Sequence, residues 1–158
     1  MKLCFLRHGA ALDGEDDAVR PLSDTGQRQS RKIGRFLRRG NVVFDHAFSS
    51  PLLRARQTAE IVLGITNEDR RLELQFAGAL LNSTSPGDFA EWLKSLPADA
   101  EILLVGHEPS IGDHVRRLLG LAGSSALEMK KGSCAGIQMS GSGSGQLRFL
   151  VTPKSLGT

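Results

Sequence analysis

Tyrosine is absent from this 158-residue chain, tryptophan occurs once, and the aromatic residues together make up 5% of it. A surface that stacks nucleobases on aromatic rings lacks its material here, and no nucleic-acid-binding motif appears, so no nucleic-acid partner is expected. Cysteine is nearly as scarce. Cys4 and Cys134 both fall in apolar or small-residue strand candidates. They allow one disulfide at most, nothing points to secretion, and the expectation is two buried free thiols in a reducing cytoplasm. Long hydrophobic runs are missing too. The first apolar stretch is too short for a signal peptide and runs straight into Arg7, and no segment approaches a membrane span. The sequence therefore predicts a cytoplasmic protein without a membrane partner. The charge balance is mild, a formal +3, with basic residues spread along the chain apart from "RQSRKIGRFLRR", which reads as one helix.

What is present is ordinary globular composition, 40% hydrophobic and 23% charged, in a length that fits one domain over residues 1–158. Short apolar runs alternate with amphipathic stretches. "KLCFLR", "VVFDHAFSS", "LELQF", "EILLVGH", "SCAGIQM" and "QLRFLVT" read as strands. Between them, "DTGQRQSRKIGRFLRR" carries Ile33, Phe36 and Leu37 on one helical face. Ser50-Pro51 reads as a cap and first turn for a helix that Gly64 would end. Ser85-Pro86 starts a helix with Phe89, Trp92, Leu93 and Leu96 facing a core, and Pro109 opens another with Ile111, Val115, Leu118 and Leu119, ended by Gly120. "SGSGSG" between the last two strands reads as a hairpin turn. This pattern predicts an α/β three-layer sandwich, a mostly parallel central sheet with helices on both faces and an antiparallel C-terminal strand.

One feature does not suit a core. The run Leu3–Leu6 ends in Arg7-His8, and Gly9 then frees the chain to turn. From that stretch alone, the pair either marks where the strand meets water or faces a ligand. Ligands of open α/β sheets bind beyond the carboxyl ends of the strands. Arg7-His8 ends the first strand, Arg54 lies in the first turn after the second, and His107 ends "EILLVGH". Two arginines and two histidines thus converge on one sheet edge. No acidic partner stands in these motifs, so the natural occupant is an anion. Guanidinium forks match phosphate oxygens, and the start of the helix after Ser50-Pro51 adds free N–H groups. Neighbouring guanidinium charge disfavours protonation of His8, and a neutral imidazole keeps the lone pair a nucleophile needs. The cluster is suited to attack on phosphorus.

"LRHG", "SSPLLRARQTAE" and "VGHEP", in this order and separation, resemble the histidine phosphatase superfamily, whose fold is phosphoglycerate mutase-like. The compact length, "RPLSDTGQRQ" and the early "RHGAA" are most similar to its SixA-type phosphohistidine phosphatases. The resemblance implies that His8 is transiently phosphorylated, and that Arg7, Arg54 and His107 hold the phosphoryl oxygens. It also implies that Arg20 helps line the pocket, that Gly9 permits close backbone approach, and that no metal or other cofactor is required. The implied partner is a phosphohistidine-bearing protein, such as a phosphotransfer domain in signal transduction, or else a small phosphomonoester.

The pattern departs from many relatives in lacking a clear match to the carboxylic acid that protonates an alkoxide leaving group. Glu73, Asp88 and Glu108 are the candidates. Insertions over the pocket are missing as well. An imidazole leaves more readily than an alkoxide once its other nitrogen is protonated, and short connections leave a pocket open to a protein surface. Both departures favour removal of phosphate from protein histidine. The alternatives are a small-molecule phosphomonoesterase and a non-catalytic phospho-group binder. A cysteine phosphatase would need arginine six residues after cysteine, where this chain has Ala10 and Ser140. A P-loop would need lysine after its glycines. A zinc site from His8, His107 and His114 lacks the familiar spacing and has two arginines beside it. His46 reads as a strand-region histidine and His114 as a helix-surface one, Arg56 points elsewhere on its helix, and Gln57, Thr58 and Glu60 read as packing support.

Overall fold

Four successive apolar side chains in Leu3–Leu6 and in Ile102–Val105 leave a strand no face to turn toward water, so both must lie in a sheet covered on both sides. The computed structural model, which describes residues 1–157, places the two side by side. Strands β1 (Lys2–Arg7), β2 (His46–Ser49), β3 (Gln75–Phe76), β4 (Glu101–Gly106), β5 (Cys134–Met139) and β6 (Gly145–Val151) form one sheet in the order β3-β2-β4-β1-β5-β6. The pairs β1/β4, β2/β4 and β2/β3 are parallel, while β5 runs antiparallel to both β1 and β6. This is the α/β sandwich the sequence pattern predicts.

Strand alternation divides the core into two layers. Cys4, Leu6, Leu103 and Val105 face helices α1 (Asp24–Arg39) and α2 (Leu53–Thr66), packing with Ile33, Leu37, Ala55, Ala59 and Val62. Leu3, Phe5, Ile102 and Leu104 face the other way, toward α3 (Pro86–Lys94) and α4 (Ser110–Leu118), and meet Phe89, Leu93, Ile111 and Val115. Trp92 packs against this second layer, with its ring edge-on to Phe48 at 5.2 Å. Cys4 and Cys134 are free and buried, and the Cys4 thiol beside Cys134, together with burial, holds the latter well above its usual pKa.

Several boundaries differ from those the sequence suggests. Val42 and Val43 lie outside β2, because Asp45 turns the chain there. Its N–H donates to Glu101 O at 2.8 Å and its carboxylate accepts from Glu101 N at 2.8 Å. Gly64 does not end α2, which continues to Thr66. The stop is Asn67, whose side chain is spent on the Phe44 backbone, accepting from its N–H and donating to its C=O. The Ser50-Pro51 pair is not the cap of α2 either: the helix starts at Leu53 behind Leu52, with no side-chain cap. "LELQF" yields only the two residues of β3, and Leu96 falls just beyond α3. By contrast, Ser85 does cap α3, its side chain accepting from Asp88 N. Gly120 follows α4 at φ +73, left-handed backbone that favours glycine.

Candidate active site

Register decides which side chains share the sheet edge. Arg7 pairs with Gly106 and Ser49 with Val105, so His8, Ser50 and His107 step off β1, β2 and β4 at nearly one level. The His8 and His107 rings lie 4.9 Å apart, tilted by 57°. His8 Nδ1 lies 2.7 Å from Gly9 O. A carbonyl oxygen only accepts, so Nδ1 carries the proton and Nε2 keeps its lone pair. Burial, against the pull of the Gly9 carbonyl and with help from Arg54, Arg7 and Lys131, lowers the His8 pKa to about 4. His107 falls to about 3, first through burial and then through His8 and Arg54. Both rings are neutral at neutral pH.

The loop behind His8 is held by close backbone contacts. Gly9 N donates to Thr58 Oγ1 at 3.2 Å, and the Thr58 hydroxyl donates to Arg54 O at 2.8 Å. Gln57 accepts from Leu22 N, and Gln29 accepts from Ala10 N. A Cβ at Gly9 would come within 2.7 Å of Gly26 O, so glycine there serves the crossing of this loop with α1. The packing role expected for Gln57 and Thr58 is therefore specific: both tie α2 to the loop that carries His8. Glu60 instead pairs with Arg56 on the exposed face of α2, at 2.8 Å.

Two buried polar atoms at this edge have no partner among the described residues, Arg7 Nε and His107 Nδ1. Arg7 Nη1 donates to Met129 O, and His107 Nε2 lies 2.5 Å from Ser50 Oγ. Burying such groups unpaired is costly, and an anion with several oxygens would satisfy both. Arg54, 8% exposed, sits at the second position of α2. Its Nη1 donates to Asp17 O at 2.8 Å and its Nη2 to Asp17 Oδ2 at 3.2 Å. The arginines thus do have an acidic neighbour, contrary to the expectation from the motifs alone.

The remaining sequence candidates divide. Arg20 reaches the site through Asp17, donating from Nη1 to its Oδ1 at 3.0 Å and from Nε to Leu12 O. Glu108 follows His107, and its carboxylate accepts from Gly112 N at 2.6 Å. Burial raises its pKa, opposed by that amide and by Arg7. Glu73 is exposed and precedes β3, where Gln75 is level with Phe48. That puts it toward the amino ends of the strands, away from the cluster. Asp88 is exposed in the first turn of α3 and its side chain touches no member of the cluster. Of the three carboxylates considered as an acid, only Glu108 is brought near. His114 is not on the helix surface, as the sequence suggests, but buried, stacked on Phe89 at 3.6 Å in the α3/α4 layer, because its ring fills the gap between the two helices; it lies away from His8 and His107.

Sequence reasoning missed Asp17 and the part played by Ser50. The one signal for Asp17 was its place three residues before Arg20 in an acidic loop.

Residues 3–78 match the sequence pattern of the histidine phosphatase superfamily, branch 1. The chain is 30% identical over 162 residues to the phosphohistidine phosphatase SixA of Escherichia coli K12, covering 99% of this chain and 96% of that one. It is 34% identical over 143 residues to an uncharacterized protein of Picosynechococcus, covering 87% and 85%. The solved structure of the protein histidine phosphatase SixA complexed with tungstate superposes with a TM-score of 0.88 at 28% identity, covering 99% of both chains.

Proposed function

The chain belongs to the histidine phosphatase superfamily as a SixA-like phosphatase, and from that premise we propose that it removes the phosphoryl group from a protein phosphohistidine. The observation that carries the reading is the free Nε2 lone pair of a neutral His8, set beside Arg7, Arg54 and His107. In the first step His8 Nε2 attacks phosphorus while the P–N bond to the substrate imidazole breaks. The electron pair returns to that ring, which leaves as neutral imidazole when its other nitrogen carries a proton. Arg7 Nε, the Arg54 guanidinium and His107 Nδ1 donate to the equatorial oxygens. For His107 this requires the Ser50 hydroxyl to donate to Nε2, which places the ring proton on Nδ1. Water then attacks phosphorus as the P–Nε2 bond breaks; the electron pair returns to the ring, restoring neutral His8, and the water's protons leave on the released dihydrogen phosphate.

Two features favour a protein imidazole over an alkoxide as the leaving group. Both carboxylates near the cluster are engaged, Glu108 with the Gly112 amide and Asp17 with the Arg54 and Arg20 guanidinium groups. The segments beside the cluster carry exposed apolar side chains, Leu12, Val19 and Phe76, which are 52%, 58% and 55% exposed. Leu12 and Val19 flank the segment whose Asp17 touches Arg54, and Phe76 pairs with Ser49. Exposed apolar side chains beside a pocket suit contact with a protein surface. The test compares phosphate release from a phosphohistidine-bearing phosphotransfer domain with release from small phosphomonoesters, using His8→Ala as control. Preference for the protein, lost in the variant, with an acid-labile phosphoenzyme on His8, is the expected result. Faster turnover of an ester would transfer the leaving-group problem to Glu108 and sink the proposal.

A further inference from the structure

The placement of one carboxylate between two guanidinium groups adds something the superfamily reading does not require. Asp17 opens a short 3-10 turn (Asp17–Val19) on the loop that follows His8. Its Oδ2 accepts from Arg54 Nη2 at 3.2 Å, its Oδ1 from Arg20 Nη1 at 3.0 Å, and its carbonyl from Arg54 Nη1 at 2.8 Å. Arg54 is nearly buried while the Asp17 side chain is 64% exposed. The carboxylate therefore meets Arg54 from the solvent side.

We infer that Asp17 is a built-in counter-anion of the phosphate pocket, which holds Arg54 and Arg20 together and weakens the pocket's grip on free phosphate. The inference rests on the phosphatase reading of this site. Arg54, Arg7 and Lys131 all act on His8, Arg20 stands behind Asp17, and phosphate is the product. With that much positive charge unopposed, the product would remain bound and compete with substrate. Asp17 subtracts one unit of charge at the arginine that lies deepest. It is a positioning residue, acting on substrate through Arg54 and Arg20. Both arginines show the effect in the opposite direction, holding the Asp17 carboxyl below its ordinary pKa, Arg20 first and Arg54 second.

Asp17→Asn removes the charge and keeps one amide oxygen to accept from an arginine, while the backbone contact to Arg54 is untouched. Calorimetric titration with inorganic phosphate at low salt should show binding about threefold to tenfold tighter in Asp17→Asn than in the wild type, since the group is largely exposed and its field is partly screened. Asp17→Ser should move in the same direction and Asp17→Glu should stay near the wild type. The gap between wild type and Asp17→Asn should shrink as sodium chloride is raised, a dependence that a merely structural role would not give. Phosphate binding that is unchanged or weaker in Asp17→Asn overturns the inference and leaves Asp17 as a strut for Arg54. Failure of the wild type and of Asp17→Asn alike to bind phosphate or tungstate would instead remove the phosphatase reading, and the inference with it.

Discussion

A histidine with one nitrogen fixed on a carbonyl oxygen has its tautomer chosen for it, and His8 is in that position through Gly9 O. The consequence is chemical readiness without a neighbouring base: Nε2 keeps its lone pair as long as the ring stays neutral. Burial and the nearby cations keep it neutral far below the usual imidazole range, at about 4. An NMR titration of the ring nitrogens should show His8 changing protonation near pH 4 and His107 near pH 3, with no transition between 6 and 7. A His8 midpoint near 6.5 would mean that water reaches the ring freely and that the donors around it do not act as a dry cluster. At this scale the sequence was partly legible. Arg7, His8, Arg54 and His107 announced themselves because charged or ionisable residues interrupt or end apolar runs. Asp17 did not, because an aspartate in "DGEDD" looks like any solvated loop residue until a helix 37 residues away presents Arg54 to it. Ser50 was disguised differently. Ser-Pro before a helix suggests a cap, whereas its hydroxyl is occupied with His107.

Elements meet at this site with little room, and the crossing of the His8 loop over the start of α1 is the tightest place. A Cβ on Gly26 would overlap the Ala10 carbonyl, a backbone atom that no rotamer change can move away. Helix propensity alone would favour alanine there by nearly 1 kcal/mol, so the steric and intrinsic effects oppose each other and the overlap should prevail. Gly26→Ala is expected to cost about 1–3 kcal/mol in urea unfolding and to lower activity, because the displaced loop carries His8. Gly64, inside α2 with no atom within 4 Å of an added Cβ, is the matched control. Gly64→Ala should stabilise by about 0.5–1 kcal/mol with activity unchanged. Equal effects of the two substitutions would remove the steric argument. The same contrast explains why strands were easier to read than boundaries. β1 and β4 are buried on both faces and show as unbroken apolar runs, and α3 shows its cap in Ser85-Pro86. The ends of β2 and α2 are set by Asp45 and Asn67 bonding to distant backbone, which no local pattern records.

Across the whole molecule, three histidines away from bulk water sit in two separate places, half-buried His8 and buried His107 at the sheet edge and buried His114 between α3 and α4. All three are depressed mainly by burial, His114 to about 4. The unfolded chain would take up protons on them near pH 6.5, before the folded chain does, so stability is full above that value and falls as pH drops toward 4. His114, 4% exposed with Nε2 unpartnered among the described residues, should alone account for about 3 kcal/mol by pH 4. The depressed carboxylates Asp17 and Asp45 contribute the same sign only below their ordinary range near 3.8. Glu108, raised above 4.5, works the other way by binding its proton first in the folded state. Between 6.5 and 4 the three histidines therefore set the sign, and Glu108 offsets part of the loss. Urea unfolding at pH 7, 5.5 and 4 should show a steep loss in that interval. The loss should be shallower in His114→Leu by about one proton's worth of slope, roughly 1.4 kcal/mol per pH unit at most. His8 and His107 still titrate in that variant, so some acid loss must persist. If the slope were unchanged, His114 would have to hold its proton in the folded state, beneath Phe89 and away from water. That would contradict the burial from which its low pKa follows.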